Sequence, residues 1–356
     1  MQNRRKFIEK VIQGSALLGA TSLASPLLLS SCQTLDEALI TDPPDLEDQV
    51  CIIGGGVTGL FCAYELKKRK IPFRLFEASR RLGGQILSSG SNEYGAHIFS
   101  AQSTVLLNLC KELGVSTLKI DNMNWTFKFG SQDFLNRLVE VVSGLVPERQ
   151  IRLSHELIKL QNNNKLKLLT FANPQNDKVY KASKVLFAVP LVEWTKIDGL
   201  VDRLVESEQI QNLRVVQVQS TQTPVISAFK KNVTKVQIDD VFVEIKKNKS
   251  AIYFTLRTDL LKSSLPQEIE NIEKWIQAKL FPDSRLKLAT AENEFYDWTN
   301  HPTIHISSLK PGGVAKSITL KDRQMMVLNE ALLPDDGLDR VESLLRQARS
   351  QIDRLI

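Results

Sequence analysis

The stretch that most constrains this chain is residues 50–85. An apolar run, Val50-Cys51-Ile52-Ile53, leads directly into Gly54-Gly55-Gly56-Val57-Thr58-Gly59, where a helical pattern begins with Leu60, Ala63, Tyr64 and Leu66. A second run, Phe73-Arg74-Leu75-Phe76, ends on Glu77. Short continuous apolar runs suit parallel strands buried on both faces. Strand, G-x-G-x-x-G, helix, strand and acid, in that order and spacing, form a dinucleotide-binding βαβ unit. Gly54 permits the tight turn, Gly56 lets backbone approach a pyrophosphate, and Gly59 lets the helix pack close to the strand. The helix N-terminus offers unpaired N–H groups and a partial positive charge to the phosphates. Glu77 can accept hydrogen bonds from ribose hydroxyls. A glycine-rich turn inside an ordinary βαβ unit would not require the acid at the end of the second strand.

The residues that follow narrow the choice of dinucleotide. Glu77-Ala78-Ser79-Arg80-Arg81-Leu82-Gly83-Gly84-Gln85 resembles the E-A-x-x-R-x-G-G-R signature of FAD-dependent amine oxidases and their relatives, which include protoporphyrinogen oxidases and carotenoid desaturases. Nicotinamide dehydrogenases normally lack this Gly-Gly extension. The resemblance implies FAD as cofactor, with Arg81, Gly83 and Gly84 at its phosphates. Gln85 stands where the signature ends in Arg, so it donates hydrogen bonds but carries no charge. Glu93-Tyr94-Gly95-Ala96-His97-Ile98-Phe99 resembles the family segment that runs beside the flavin ring.

Toward the C-terminus, residues 326–331 and 337–343 resemble the family's second FAD motif. By that resemblance, Glu330 meets the ribityl or pyrophosphate region, and the backbone at Val341 faces the flavin pyrimidine edge. The last helix then aims its positive end at the reduced flavin. Asn329 and Ser343 replace glycines usual there. Val185-Leu186-Phe187-Ala188-Val189-Pro190 resembles the strand and A-x-P turn by which the chain leaves the FAD domain. Before it, residues 157–160 and 165–171 flank an Asn-rich turn and predict a hairpin. Leu157 takes the family position whose backbone clamps the adenine.

These readings predict an α/β fold: a three-layer, Rossmann-like FAD-binding domain of the glutathione-reductase type, with an α+β substrate domain on an antiparallel sheet. The expected FAD-binding pieces are residues 49–100, 150–190 and 310–356, and the substrate domain is residues 101–149 and 191–309. Helices are expected over residues 104–113, with Ser103 as N-cap, 133–145 and 266–280. Strands are expected over 214–218, 225–229, 241–245 and 251–256.

Residues 1–31 read as a targeting segment. Arg4-Arg5-Lys6-Phe7-Ile8 resembles a twin-arginine signal, and Leu29-Ser30-Ser31-Cys32 resembles a bacterial lipobox. Cys32 is then the lipidated N-terminus, exported by the twin-arginine machinery to the periplasmic face of a bacterial membrane. Gln33 after it points to the outer membrane. Residues 32–48, acidic and containing proline, read as a tether.

The chain has 356 residues and a formal charge of +6, with no basic stripe or aromatic interleaving that would suit nucleic acid. Lys230-Lys231 and Lys246-Lys247 read as solvated strand ends. Scattered His and the lack of a C-x-x-C pair argue against a metal site; Cys51, Cys62 and Cys110 read as buried thiols. The resemblance implies an oxidoreductase that moves a hydride from a C–H bond of a small or lipidic donor to flavin. Amine oxidation ranks first; an isoprenoid desaturase, a protoporphyrinogen-oxidase-like enzyme and a non-catalytic flavin-fold binding protein are the alternatives. For catalysis the sequence offers His97, beside Gly95-Ala96, and Trp298, in a segment resembling the family's W-x-x-x-P. A backbone-satisfied histidine and a core tryptophan are the bland readings of the same residues.

Overall fold

The computed structural model describes residues 45–89, 92–143, 150–163, 165–172, 177–200, 210–249, 251–261, 263–282, 293–298, 307–309, 325–328 and 340–356. The twin-arginine segment, Cys32, Asn329 and Glu330 lie outside them.

Strand β1 (Asp45–Ile53), helix α1 (Val57–Lys68) and strand β2 (Phe73–Phe76) form the βαβ unit. β1 begins inside the stretch read as a tether: Leu46 is fully buried and pairs with Ala182. Next come a hairpin of β3 (Leu87–Ser89) and β4 (Asn92–Tyr94), then β5 (Ile98–Ser100), α2 (Thr104–Glu112), β6 (Thr117–Lys119), β7 (Asn124–Phe127), α3 (Ser131–Ser143) and β8 (Ile151–Arg152). β9 (Glu156–Asn163) and β10 (Leu166–Ala172) make the hairpin expected around Leu157, and β11 (Lys178–Phe187) extends it into a meander. A short α4 (Leu191–Trp194) leads toward the second lobe.

Among the described residues, the first lobe's large sheet runs β8-β2-β1-β11-β10-β9, with a later strand, β18 (Met325–Val327), also on β11. β11 has two halves. Residues 178–182 pair antiparallel with β10, while 185–187 pair parallel with β18. Alternate side chains of β1 go to opposite cores: Val50 and Ile52 to a helical layer with α1, α2, α3 and the last helix, Cys51 and Ile53 to the meander side with Phe76, Phe171 and Tyr180. Helices, sheet and meander give three layers.

The helical core corrects the domain division drawn from the sequence. Leu106 and Leu109 of α2 and Phe134, Leu135 and Leu138 of α3 pack with Leu60 and Leu66 of α1, so residues 104–143 belong largely to the first lobe. An amphipathic helix announces a buried face but not whose core receives it.

The second lobe is an antiparallel sheet of β12 (Ile210–Ser220), β13 (Val233–Ile238), β14 (Val241–Lys247), β15 (Ile252–Asp259), β16 (Asn293–Asp297) and β17 (Ser307–Leu309), with α5 (Thr223–Ala228) and α6 (Ile269–Leu280). Residues 225–229, expected as a strand, are mostly helix. Pro224 opens that helix, where its fixed φ and missing N–H cost nothing. The strand at 233–238 went unread, although Val233, Lys235 and Gln237 alternate with Thr234, Val236 and Ile238. The chain then returns through β18 to α7 (Arg340–Leu355), which packs on α1 and α2. Among the described residues no helix is long and apolar enough to cross a membrane, and no His, Cys, Asp and Glu cluster suits a metal ion. Cys51, Cys62 and Cys110 are buried free thiols, and burial pushes Cys110 up to about 12.

Candidate cofactor and substrate site

A cavity of about 660 Å³ runs between the lobes. From the first lobe it is lined by Gly54, Gly56, Val57, Thr58, Glu77, Glu156 and Leu157, with Gly83, Gly84, Gln85 and residues 95–99; from the second lobe by residues of β12, β14 and β15, with Trp298. Arg340, Val341, Ser343 and Leu344 bring the start of the last helix to the same space.

The glycines divide into two kinds. A Cβ on Gly54 would sit 2.3 Å from the Ala188 carbonyl oxygen, and φ there is +103°. A Cβ on Gly59 would lie 1.9 Å from the Gly54 oxygen, which fixes the close approach of α1 to the strand end. Gly56 is different: a Cβ there would meet nothing nearer than Gly84 Cα at 3.9 Å, so the space beside it belongs to the cavity. Gly56 and Gly84 face each other across a bridge between Gly56 and Gly83, with Gly84 at φ +55°. The result is a bare-backbone cradle at the N-terminus of a 12-residue helix. The middle glycine, Gly55, is also constrained, since its Cβ would fall 2.5 Å from Leu82 Cδ2.

Glu77 is held by backbone. Gly55 N–H donates to its Oε2 at 2.6 Å and Ser79 N–H to its Oε1 at 2.8 Å. Each carboxylate oxygen keeps further acceptor capacity toward the cavity. Arg81 differs from its sequence reading. It is buried and does not line the cavity; its guanidinium donates to the carbonyls of Leu82 (3.3 Å), Ile86 (3.1 Å) and Gly84. Arg81 thus braces the Gly83-Gly84 turn through the carbonyls of its own loop. Gln85 lines the cavity, and its carbonyl would lie 1.7 Å from a Cβ on Gly95, so only glycine passes there.

Gln217, which the sequence reading passed over, ties the lobes together. Its Oε1 accepts from Gly95 N–H at 2.8 Å and from the Trp298 indole N–H at 2.9 Å. Gln219, two residues on, accepts from Glu93 N–H at 3.1 Å. The signal was present: glutamines alternate with valines in Val215-Val216-Gln217-Val218-Gln219, and an amide at a strand position facing a second lobe needs partners there.

His97 and Trp298, the two catalytic candidates, both line the cavity. His97 Nδ1 is 3.0 Å from the Gly95 carbonyl, which assigns it the proton. Its Nε2 is buried with no partner, and the ring packs 4.1 Å from Tyr253. Burial, with the charge of Lys246, pushes His97 down to about 3, so it is a neutral acceptor. Trp298 is fully buried and packs edge-on against Tyr296. Lys246, read as a solvated strand end, lines the cavity instead. His155, for which the sequence offered no context, lines it too.

Leu157 lies on β9 at the cavity wall and Val341 at the opening of α7. The acid next to Val341 does something the sequence did not announce. Glu342 is fully buried, and its oxygens accept from Val105 N–H at 3.1 Å and Leu106 N–H at 3.0 Å in the first turn of α2. Glu342 thus does the capping expected of the Ser103 side chain, which makes no cap hydrogen bond.

The model of the NAD(P)-binding Rossmann-like domain matches residues 52–113. Coproporphyrinogen III oxidase of Staphylococcus aureus is 39% identical over 72 residues, a match spanning 18% of this chain and 16% of that enzyme. Among solved structures, putrescine oxidase bound to putrescine superposes with a TM-score of 0.62 at 14% identity, covering 87% of this chain and 99% of that one. Cyclohexylamine oxidase of Brevibacterium oxydans gives 0.63 at 11% identity with the same coverage. At such identities the likeness is one of fold: a Rossmann-like lobe and an antiparallel lobe, joined as they are in these oxidases.

Proposed function

We propose that the chain is an FAD-dependent oxidoreductase that takes a hydride from a C–H bond of a small or lipidic donor. The observation that carries this reading is the continuity of one cavity, from the bare cradle at Gly56 and Gly84 past Glu77 to the Gly95–His97 backbone and the start of α7. The residues present fit such a cofactor. Glu77 and the β9 edge at Leu157 suit an adenosine, the cradle a pyrophosphate, and the opening of α7 the electron-rich edge of a ring. When bound, the flavin supplies hydride acceptance; the protein orients the donor and excludes water. Amine oxidation is the first reading of the donor chemistry, supported by the fold shared with putrescine and cyclohexylamine oxidases.

We infer also that the protein is exported folded and lipid-anchored at Cys32 on the periplasmic face. The support is Arg4-Arg5 and the lipobox-like Leu29-Ser30-Ser31-Cys32. A cofactor loaded before export is consistent with a route that carries folded proteins. Replacing Arg4 and Arg5 by Lys is expected to strand precursor in the cytoplasm; normal export of that variant refutes the route.

The test of the cofactor is direct. The mature protein is purified and any bound chromophore identified by absorbance and mass. FAD is expected, and its loss from a folded Gly56→Asp variant, whose carboxylate would project into the cradle. Wild type that carries NAD and no flavin, or that fails to take up FAD in excess, refutes the reading.

A further inference from the structure

We propose that the hairpin of β6 and β7, with the turn after it, is a surface that lies on a lipid bilayer. This goes beyond the redox reading and rests on the export reading for which bilayer it meets. Among the described residues eight large apolar side chains are exposed, and three of them fall within residues 118–129: Leu118 at 47%, Met123 at 54% and Phe129 at 63%. Exposed apolar residues scattered singly are ordinary, whereas a concentration of them marks a contact surface.

Strand pairing shows where they sit. The small sheet runs β5-β7-β6, so β6 is an edge strand among the described residues. Ile98 of β5 pairs with Thr126 of β7, and Thr126 with Leu118 of β6. Directly opposed residues share a face of the sheet. Strands lie about 4.8 Å apart, which puts the Leu118 backbone about 10 Å from that of Ile98. Ile98 lines the cavity and packs with Ala251 and Tyr253 of the second lobe, and Ile120 packs against the same cluster. The face that the second lobe covers at Ile98 is thus uncovered at Leu118, beside the cavity. Met123 stands at the hairpin tip, where its N–H donates to Asp121 Oδ1 at 2.7 Å, and Phe129 follows β7 at the other end.

The neighbouring side chains choose the occupant. Lys119 and Lys128 are exposed, and the Lys128 ammonium lies 5.1 Å from the Phe129 ring centroid. Lysine is depleted at the cores of protein–protein interfaces. On a bilayer the same arrangement is favourable. Leu, Met and Phe enter the acyl boundary, while lysine stems lie along them and put the ammonium groups at the headgroup phosphates. The tether supplies proximity. Cys32 and Asp45, where β1 begins, are thirteen residues apart, a span of at most about 45 Å. An anchor at Cys32 holds the hairpin over the bilayer at high effective concentration, so that weak contacts suffice. Contact through this hairpin turns the Ile98 side of the cavity toward the lipid, the approach that a lipidic donor needs.

The test uses the mature full chain carrying Cys32→Ser, so that no acyl group contributes, and vesicles of phosphatidylethanolamine and phosphatidylglycerol. Co-sedimentation is expected to show binding. Leu118→Ser combined with Phe129→Ser should weaken it at least about tenfold, since both side chains forfeit apolar burial. Val179→Ser, at an exposed valine on β11, is the control and should bind as the parent does. In Phe129→Trp the added indole emission should shift to the blue when vesicles are added. Circular dichroism reports whether each variant folds, and ultracentrifugation without lipid reports self-association. No vesicle binding, binding unchanged in the double variant, equal loss in the Val179 control or unmoved indole emission overturns the proposal. Self-association that Leu118→Ser abolishes also overturns it, by assigning the surface to a second copy. Vesicle binding by a chain that cells leave unlipidated at Cys32 sinks the anchoring reading and leaves the surface standing. Lipidation in cells without vesicle binding by the Cys32→Ser chain does the reverse.

Discussion

Glu342 gives the sharpest test of how the first lobe holds together. It is fully buried, each of its oxygens takes one first-turn N–H of α2, and Arg346 Nε donates to Oε1 at 2.7 Å. Glu342→Ala leaves the two amides without their acceptor and removes a negative charge from the positive end of a helix. Loss of an N-cap costs about 1 kcal/mol, and a buried N–H without a partner about 1–3 kcal/mol. Arg346, nearly half exposed, recovers water, so its half of the ion pair contributes little. The expected total is about 3 kcal/mol, a fall in Tm of roughly 5–10 °C. Glu342→Gln keeps one acceptor and should lose about half as much. Thermal and urea unfolding followed by circular dichroism measure both, with Arg346→Ala as control. If Glu342→Ala loses no more than Arg346→Ala, the capping argument is wrong.

The two kinds of glycine predict opposite phenotypes. Gly59→Ala places a methyl 1.9 Å from the Gly54 oxygen and should yield little folded protein, whereas Gly56→Ala should unfold like wild type yet bind FAD at least about tenfold more weakly, as equilibrium dialysis would show. Gln217→Leu removes the shared acceptor of Gly95 N–H and the Trp298 indole; a destabilisation of about 2 kcal/mol and a shifted indole emission are expected, and unchanged values would refute the bridging role. His97 is held neutral in the fold down to about pH 3 but binds a proton in the unfolded chain below about pH 6.5. The unfolded state therefore binds more protons in that window, and stability falls as pH drops through it, by up to about 1.4 kcal/mol per pH unit. His97→Asn should flatten the wild-type slope between those limits; an identical slope refutes the assignment.

The βαβ unit was legible because two independent signals coincide there: apolar runs of strand length and glycines whose positions a nucleotide turn dictates. The hairpin around Leu157 was legible for similar reasons, from its Asn-rich turn. Elsewhere the sequence announced elements but not their partners. The helix at Thr104–Glu112 shows an apolar face, yet its lobe is decided by α1 and α7, the latter more than two hundred residues away. Residues 225–229 have strand-like composition, and Pro224 won because it sits where a helix starts. Arg81 marks the motif, but a motif does not say which way a guanidinium turns, and here carbonyls of its own loop take it. The charges of Glu244 and Lys246 alternate with apolar residues in plain view. That their face looks into a cavity rather than into water follows only from how the lobes meet.

The bond from Glu342 to α2 also bears on the order in which this molecule can be made. A chain emerging from the ribosome presents α2 long before residue 342, so the helical layer of the first lobe cannot close until α7 has emerged. Closing contacts between segments so far apart along the chain is slow, because the loop must be ordered before the contact forms. Until then the apolar faces of α1, α2 and α3 lack Leu345, Ala348 and Ile352 of the last helix. A product that stops short of α7 thus stays open and exposes surface that chaperones and proteases recognise.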